Sequence, residues 1–144
     1  MGCLTWYAPR GTLMVEVMRM MKQRPPEAYM EVLAHLKEVL EALRERSQNL
    51  IAAIAAHADA RLGYEAALDA LEDARARAIR EGLEGRNEQA RQAELLEKTR
   101  QEEEAVRSAR AVYRGTEANL EMARVAWSLE KEVLRALTAL LGDR

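Results

Sequence analysis

Apolar residues return every three or four positions from Tyr29 to Ala78, stop at a glycine-containing break, and resume from Val106 to Leu141. Stepping four then three, the first row is Tyr29, Leu33, Leu36, Leu40, Leu43, Ser47, Leu50, Ile54, His57, Arg61, Tyr64, Leu68, Leu71, Arg75 and Ala78. The second is Val106, Ala109, Tyr113, Thr116, Leu120, Ala123, Trp127, Glu130, Leu134, Leu137 and Leu141. A seven-residue period lays one seam of each helix against a partner. The expected fold is therefore all-α: a long antiparallel helical hairpin, coiled-coil-like, with a short N-terminal helix, assembling into an oligomer. Folding the chain at the break sets Leu120 opposite Leu50, Trp127 opposite Leu43, Leu134 opposite Leu36 and Leu141 opposite Tyr29, with Tyr113 near His57 and Ala109 near Arg61.

Residues 1–25 read as an irregular and then amphipathic segment, and residues 26–144 as the hairpin domain. The first part carries Trp6, Tyr7, Pro9 and Gly11, followed by Leu13 to Lys22 with Met14, Met18 and Met21 on one side. Met14, Met18 and Met20 are alternative initiators. Proline is tolerated in a first helical turn and an acid suits the positive end of the dipole, so Pro26 and Glu27 open a helix expected over 26–81. Gly63 inside that helix costs about 1 kcal/mol relative to alanine. The break, residues 82–87, offers Gly82 as a C-terminal cap, Gly85 as a permissive turn residue and Asn87 as N-cap of a helix expected over 88–141.

The chain of 144 residues has a formal charge of −2, which alone selects no polyanionic partner. The distribution is uneven: Arg10, Arg19, Lys22 and Arg24 stand against Glu16 alone in the first 24 residues. Lysine occurs only at positions 22, 37, 98 and 131, the remaining cations being arginine, which fits a GC-rich genome or a thermophilic host. A lone Cys3 forms no internal disulfide, and no apolar run reaches the length of a membrane span, so the expected location is cytoplasmic, with no membrane partner.

The last helix is apolar beyond its seam. Met122, Val125, Leu129, Val133 and Leu140 flank Leu120, Trp127 and Leu134, and one partner helix leaves that second stripe uncovered. The expected oligomer interface is Met122, Val125, Trp127, Leu129, Val133 and Leu140.

Catalytic patterns are weak. His35 follows Glu31 by four and precedes Glu38 by three, but neither His35 nor His57 has the glutamate three residues before it that a di-metal bundle uses. Cys3 has no histidine nearby, and the Gly82 to Gly85 turn is followed by no Lys-Ser/Thr pair of a phosphate loop. No enzyme activity, metal, cofactor or small-molecule substrate is expected. Arg61 and Arg75, placed in the seam, read as snorkelling side chains or polar breaks that fix register. Nucleic acid is the stronger prospect. Arg75, Arg77, Arg80, Arg86 and Arg91 surround the turn and could meet phosphates, although Glu72, Asp73, Glu81, Glu84 and Glu88 balance them. Arg10, Arg19, Lys22 and Arg24 could do the same, with Trp6 and Tyr7 for stacking. Assembly would multiply weak contacts.

A long first helix, the arginine-bearing approach Ala74-Arg75-Ala76-Arg77-Ala78-Ile79-Arg80 to Gly85, and a returning helix ending in a Trp-containing apolar stretch together resemble the UvsY-type recombination mediators of phages. Gly85-Arg86-Asn87-Glu88-Gln89-Ala90-Arg91 also resembles a stretch found in small helical phage proteins. The likeness is architectural and covers residues 27–141. It implies a homo-oligomer that binds single-stranded DNA and helps a RecA-like recombinase displace a single-strand-binding protein. Arg75, Arg77, Arg80 and Arg86 would then be the DNA-contacting set, with Arg91 beside them at the turn, and Trp127 to Leu141 the assembly surface. The alternative expectation is a helical protein-interaction factor, an assembly factor or inhibitor docking on a host protein without nucleic acid.

Overall fold

In the computed structural model the described residues are Val15, Arg19 and residues 25–142, with side chains from residue 27 onward. Cys3, Trp6, Tyr7, Arg10, Met14, Met18, Met20, Met21, Lys22 and Arg24 lie outside them. Val15 and Arg19 are helical and exposed. The protein is all-α, with no strand among the described residues: α1 is Pro25–Glu81, α2 is Glu88–Lys98 and α3 is Arg100–Gly142. The chain divides into two compact units, one made of residues up to Gln48 together with Val125 onward, the other of Asn49–Arg124.

In the first unit the core is Val32, Val39 and Leu137, at 0%, 6% and 1% exposure, with Leu36, Val133, Leu134, Leu140 and Leu141 packed on it. Leu36, Leu43 and Ser47 of the expected α1 row lie inward, but its other members in this unit are displaced by one position. Tyr29, Leu33 and Leu40 are exposed, while Ala28, Val32 and Val39 are buried. Both sets recur at heptad spacing, and the members with the smaller side chains are the ones that turn inward.

The same choice recurs in the second unit. Leu50, His57, Tyr64, Leu71 and Ala78 of the expected row are buried or half-buried, and so is Leu68. Ile54, Arg61 and Arg75 face outward, and Ala53, Ala60, Ala67 and Ala74 fill the intervening inner places. The row therefore steps three then four. The row on α3 needs no revision: all eleven members, from Val106 to Leu141, are buried or half-buried.

Within the second unit, His57 meets Tyr113 and Thr116, Tyr64 meets Arg110, and Arg75 meets Glu103. Partner numbers fall as α1 advances, so these segments run antiparallel. Tyr113 stacks on His57 at 4.9 Å between ring centroids, the neighbour expected for it. Ala109 does not have Arg61 before it, because Arg61 turns outward and donates to Glu65 at 2.9 Å.

One element differs from expectation. The helix expected over 88–141 is interrupted at Thr99, whose φ of −112° and ψ of 17° leave the helical range. Its hydroxyl donates to the Leu95 carbonyl at 2.8 Å, and its own carbonyl accepts from Glu103 N–H at 2.9 Å. A threonine bonding back to position i−4 bends a helix, and here the residue is fully buried.

Candidate nucleic-acid interface at the turn

The turn joining α1 and α2 follows from its residue types. Gly82 has φ +92°, the left-handed cap geometry that L side chains avoid, and its N–H donates to Ile79 carbonyl at 3.2 Å. Asn87 caps α2 from an extended backbone, its side-chain oxygen accepting from Ala90 N–H at 2.8 Å.

Side chains of α2 then hold the turn. Glu94 Oε2 accepts from Glu84 N–H at 2.8 Å and Gly85 N–H at 3.1 Å. Lys98 Nζ donates to Gly82 carbonyl at 3.2 Å and lies 3.2 Å from Glu94 Oε1. Partial desolvation alone would raise the Glu94 carboxyl. The bonds from Lys98 and from the Gly85 and Glu84 amides outweigh it and hold the group below its ordinary value.

The five expected DNA-contacting arginines are all exposed and belong to the second unit, but they are not equally available. Arg75 is paired with Glu103. Arg80 Nε donates to the Ala76 carbonyl at 3.4 Å, and Arg91 Nε to the Gly85 carbonyl at 3.2 Å. Arg77 and Arg86 make no hydrogen bond or ion pair with another described residue. Two of the five thus carry guanidiniums wholly available to a ligand. The exposed acids Glu72, Asp73, Glu81, Glu84 and Glu88 share the region.

The expected oligomer-interface residues also separate. Met122 and Val125 are each 55% exposed and Leu129 37%. Trp127 is half-buried, with Lys131 Nζ 3.8 Å from its ring centroid. Val133 and Leu140 pack within the chain on the Val32, Val39 and Leu137 core.

The histidines occupy two different settings. His35 Nδ1 lies 3.5 Å from Glu38 Oε2. His57 is part of a polar and aromatic group in the second unit. The Thr116 hydroxyl donates to the Tyr113 carbonyl at 2.8 Å, so its oxygen is left to accept from His57 Nδ1 at 3.2 Å. Tyr113 stacks between His57 and Tyr64, and Arg110 donates to the Tyr64 hydroxyl at 3.1 Å and 3.3 Å while lying 5.7 Å from that ring's centroid. The arrangement joins aromatic packing to a geometrically specific hydrogen bond, which suits it to fixing the register of two helices.

Among the described residues no group of three or more His, Cys, Asp or Glu converges on a common point, and no helix is long and apolar enough to cross a membrane. Comparison with protein-family models, with curated proteins and with solved structures finds no match for this chain.

Proposed function

We propose that this chain is a non-enzymatic, coiled-coil-like hairpin protein that self-associates and, when assembled, holds single-stranded DNA in the manner of a phage-type recombination mediator serving a RecA-like recombinase. The observation that carries the assembly half is the set of large apolar side chains left in water. Tyr29 at 39%, Leu33 at 37% and Leu40 at 49% share one side of α1 in the first unit, and Ile51 at 64%, Ile54 at 49% and Leu62 at 63% share one in the second. Scattered exposed leucines are ordinary, but rows of them at helical spacing mark surfaces that another helix covers. The DNA half is supported by the available guanidiniums of Arg77 and Arg86 and by the resemblance in the order of elements.

Fluorescence anisotropy with a labelled oligonucleotide across a salt series tests the DNA half. Binding at low salt that weakens linearly in log[salt] is expected. No binding at the lowest salt would remove the DNA role. A second reading, a helical interaction factor docking on a host protein, is favoured by the engagement of Arg75, Arg80 and Arg91 inside the chain and by the acids beside them. Retention of one host partner after nuclease treatment, without oligonucleotide binding, would select that reading.

A further inference from the structure

We infer that the principal nucleic-acid contact of this chain is an arginine stripe on α3, formed by Arg107, Arg110 and Arg114, with the phosphodiester backbone of a single strand as its ligand. This rests on the single-stranded-DNA reading above and locates the contact away from the turn. Between Glu104 and Glu117 the sequence contains no acidic residue and these three arginines, whereas acids stand among the arginines of the turn. Spacings of three and four put the three on one side of the helix, within an arc of about 60°, over about 10 Å of axis. Phosphates follow one another at about 3.4 Å along one strand of a duplex, so a stripe of that length reaches more than one phosphate.

The local structure prepares the stripe. All three arginines are exposed, and Arg107 and Arg114 make no hydrogen bond or ion pair with another described residue. Arg110 is held by the Tyr64 hydroxyl, a neutral acceptor that orients the guanidinium without cancelling its charge. The nearest upstream acids are already occupied: Glu103 pairs with Arg75, and Glu104 lies 3.8 Å from Arg100. No carboxylate forms an ion pair with the three guanidiniums, although the exposed Glu117 stands one turn beyond Arg114, and unpaired arginines of this kind are the ones whose phosphate contacts release counterions.

The test uses the full chain and a fluorescein-labelled oligothymidylate. The double variant Arg107→Gln with Arg114→Gln breaks no observed contact, so its helix content should match the parent by circular dichroism. It is expected to bind roughly tenfold more weakly at low salt, and its log–log salt slope should fall by about 1.4, near 0.7 for each lost contact on a single strand. Arg107→Lys with Arg114→Lys should keep most of the affinity. Parent-like binding by the glutamine pair, with loss confined to Arg77→Gln and Arg86→Gln, overturns the stripe and leaves the DNA reading standing. Equal loss in the lysine pair also overturns it, because charge would then not be the cause. A parent protein that fails to bind at all removes the stripe and the DNA reading together.

Discussion

Replacing Leu137 with alanine is expected to destabilise the protein by about 2–5 kcal/mol, the range for removing a fully buried leucine whose neighbours only partly collapse into the space. Leu137 is 1% exposed between Val32 and Val39, so its side chain is wholly surrounded by the first unit's core. The informative control is Leu40→Ala. Leu40 belongs to the more obvious apolar row but is 49% exposed, and its truncation is expected to change stability by about 0.5 kcal/mol or less. Val32→Ala should likewise exceed Leu33→Ala, although leucine is the larger side chain, because Val32 is 0% and Leu33 37% exposed. Chemical denaturation of the four variants at low protein concentration ranks them directly. The reverse order would place the seam on Leu33 and Leu40.

The second large effect concerns Gly85. A Cβ built there would lie 2.5 Å from the Arg91 amide nitrogen and 2.7 Å from the Ala90 carbonyl carbon. Both are backbone atoms inside α2 and cannot rotate away, so Gly85→Ala must move the turn or the start of the helix. Overpacking of this kind costs about 1–3 kcal/mol. It should also disturb the bonds that join Gly85 N–H to Glu94 and Gly85 carbonyl to Arg91. Faster proteolysis within 82–87 is expected alongside the lower thermal midpoint. Gly63→Ala is the opposite case: nothing lies within 4 Å of its Cβ, and alanine there should stabilise the helix by up to about 1 kcal/mol. Equal stability of Gly85→Ala and the parent would mean the turn is not clamped as described.

Much of the helix order was legible because the local signals agreed. Gly82 and Asn87 do what their chemistry suggests, Gly85 serves the turn by close backbone approach and not by a positive φ, and every residue of the α3 row lies inward, Glu130 and Thr116 included. The α1 row was legible only by halves. That helix carries apolar residues at adjacent positions, Val32 beside Leu33 and Ala53 beside Ile54, and pattern alone favours the bulkier one. In the fold Val32 and Ala53 lie inward, while Leu33, Ile54, Arg61 and Arg75 are exposed. The interruption at Thr99 was not visible because its neighbours are good helix formers; its signal was a hydroxyl able to bond back four residues. The turn arginines stand out in the sequence by their density, whereas Arg107, Arg110 and Arg114 do not, being spread over two turns of α3.

The proposed self-association would cover the aliphatic side chains left exposed and would multiply weak phosphate contacts. Sedimentation equilibrium of the purified chain at micromolar concentration measures it most directly. A self-associating chain gives a mass that is a multiple of 16.3 kDa. A mass of 16.3 kDa that stays constant over a hundredfold range of concentration would contradict self-association.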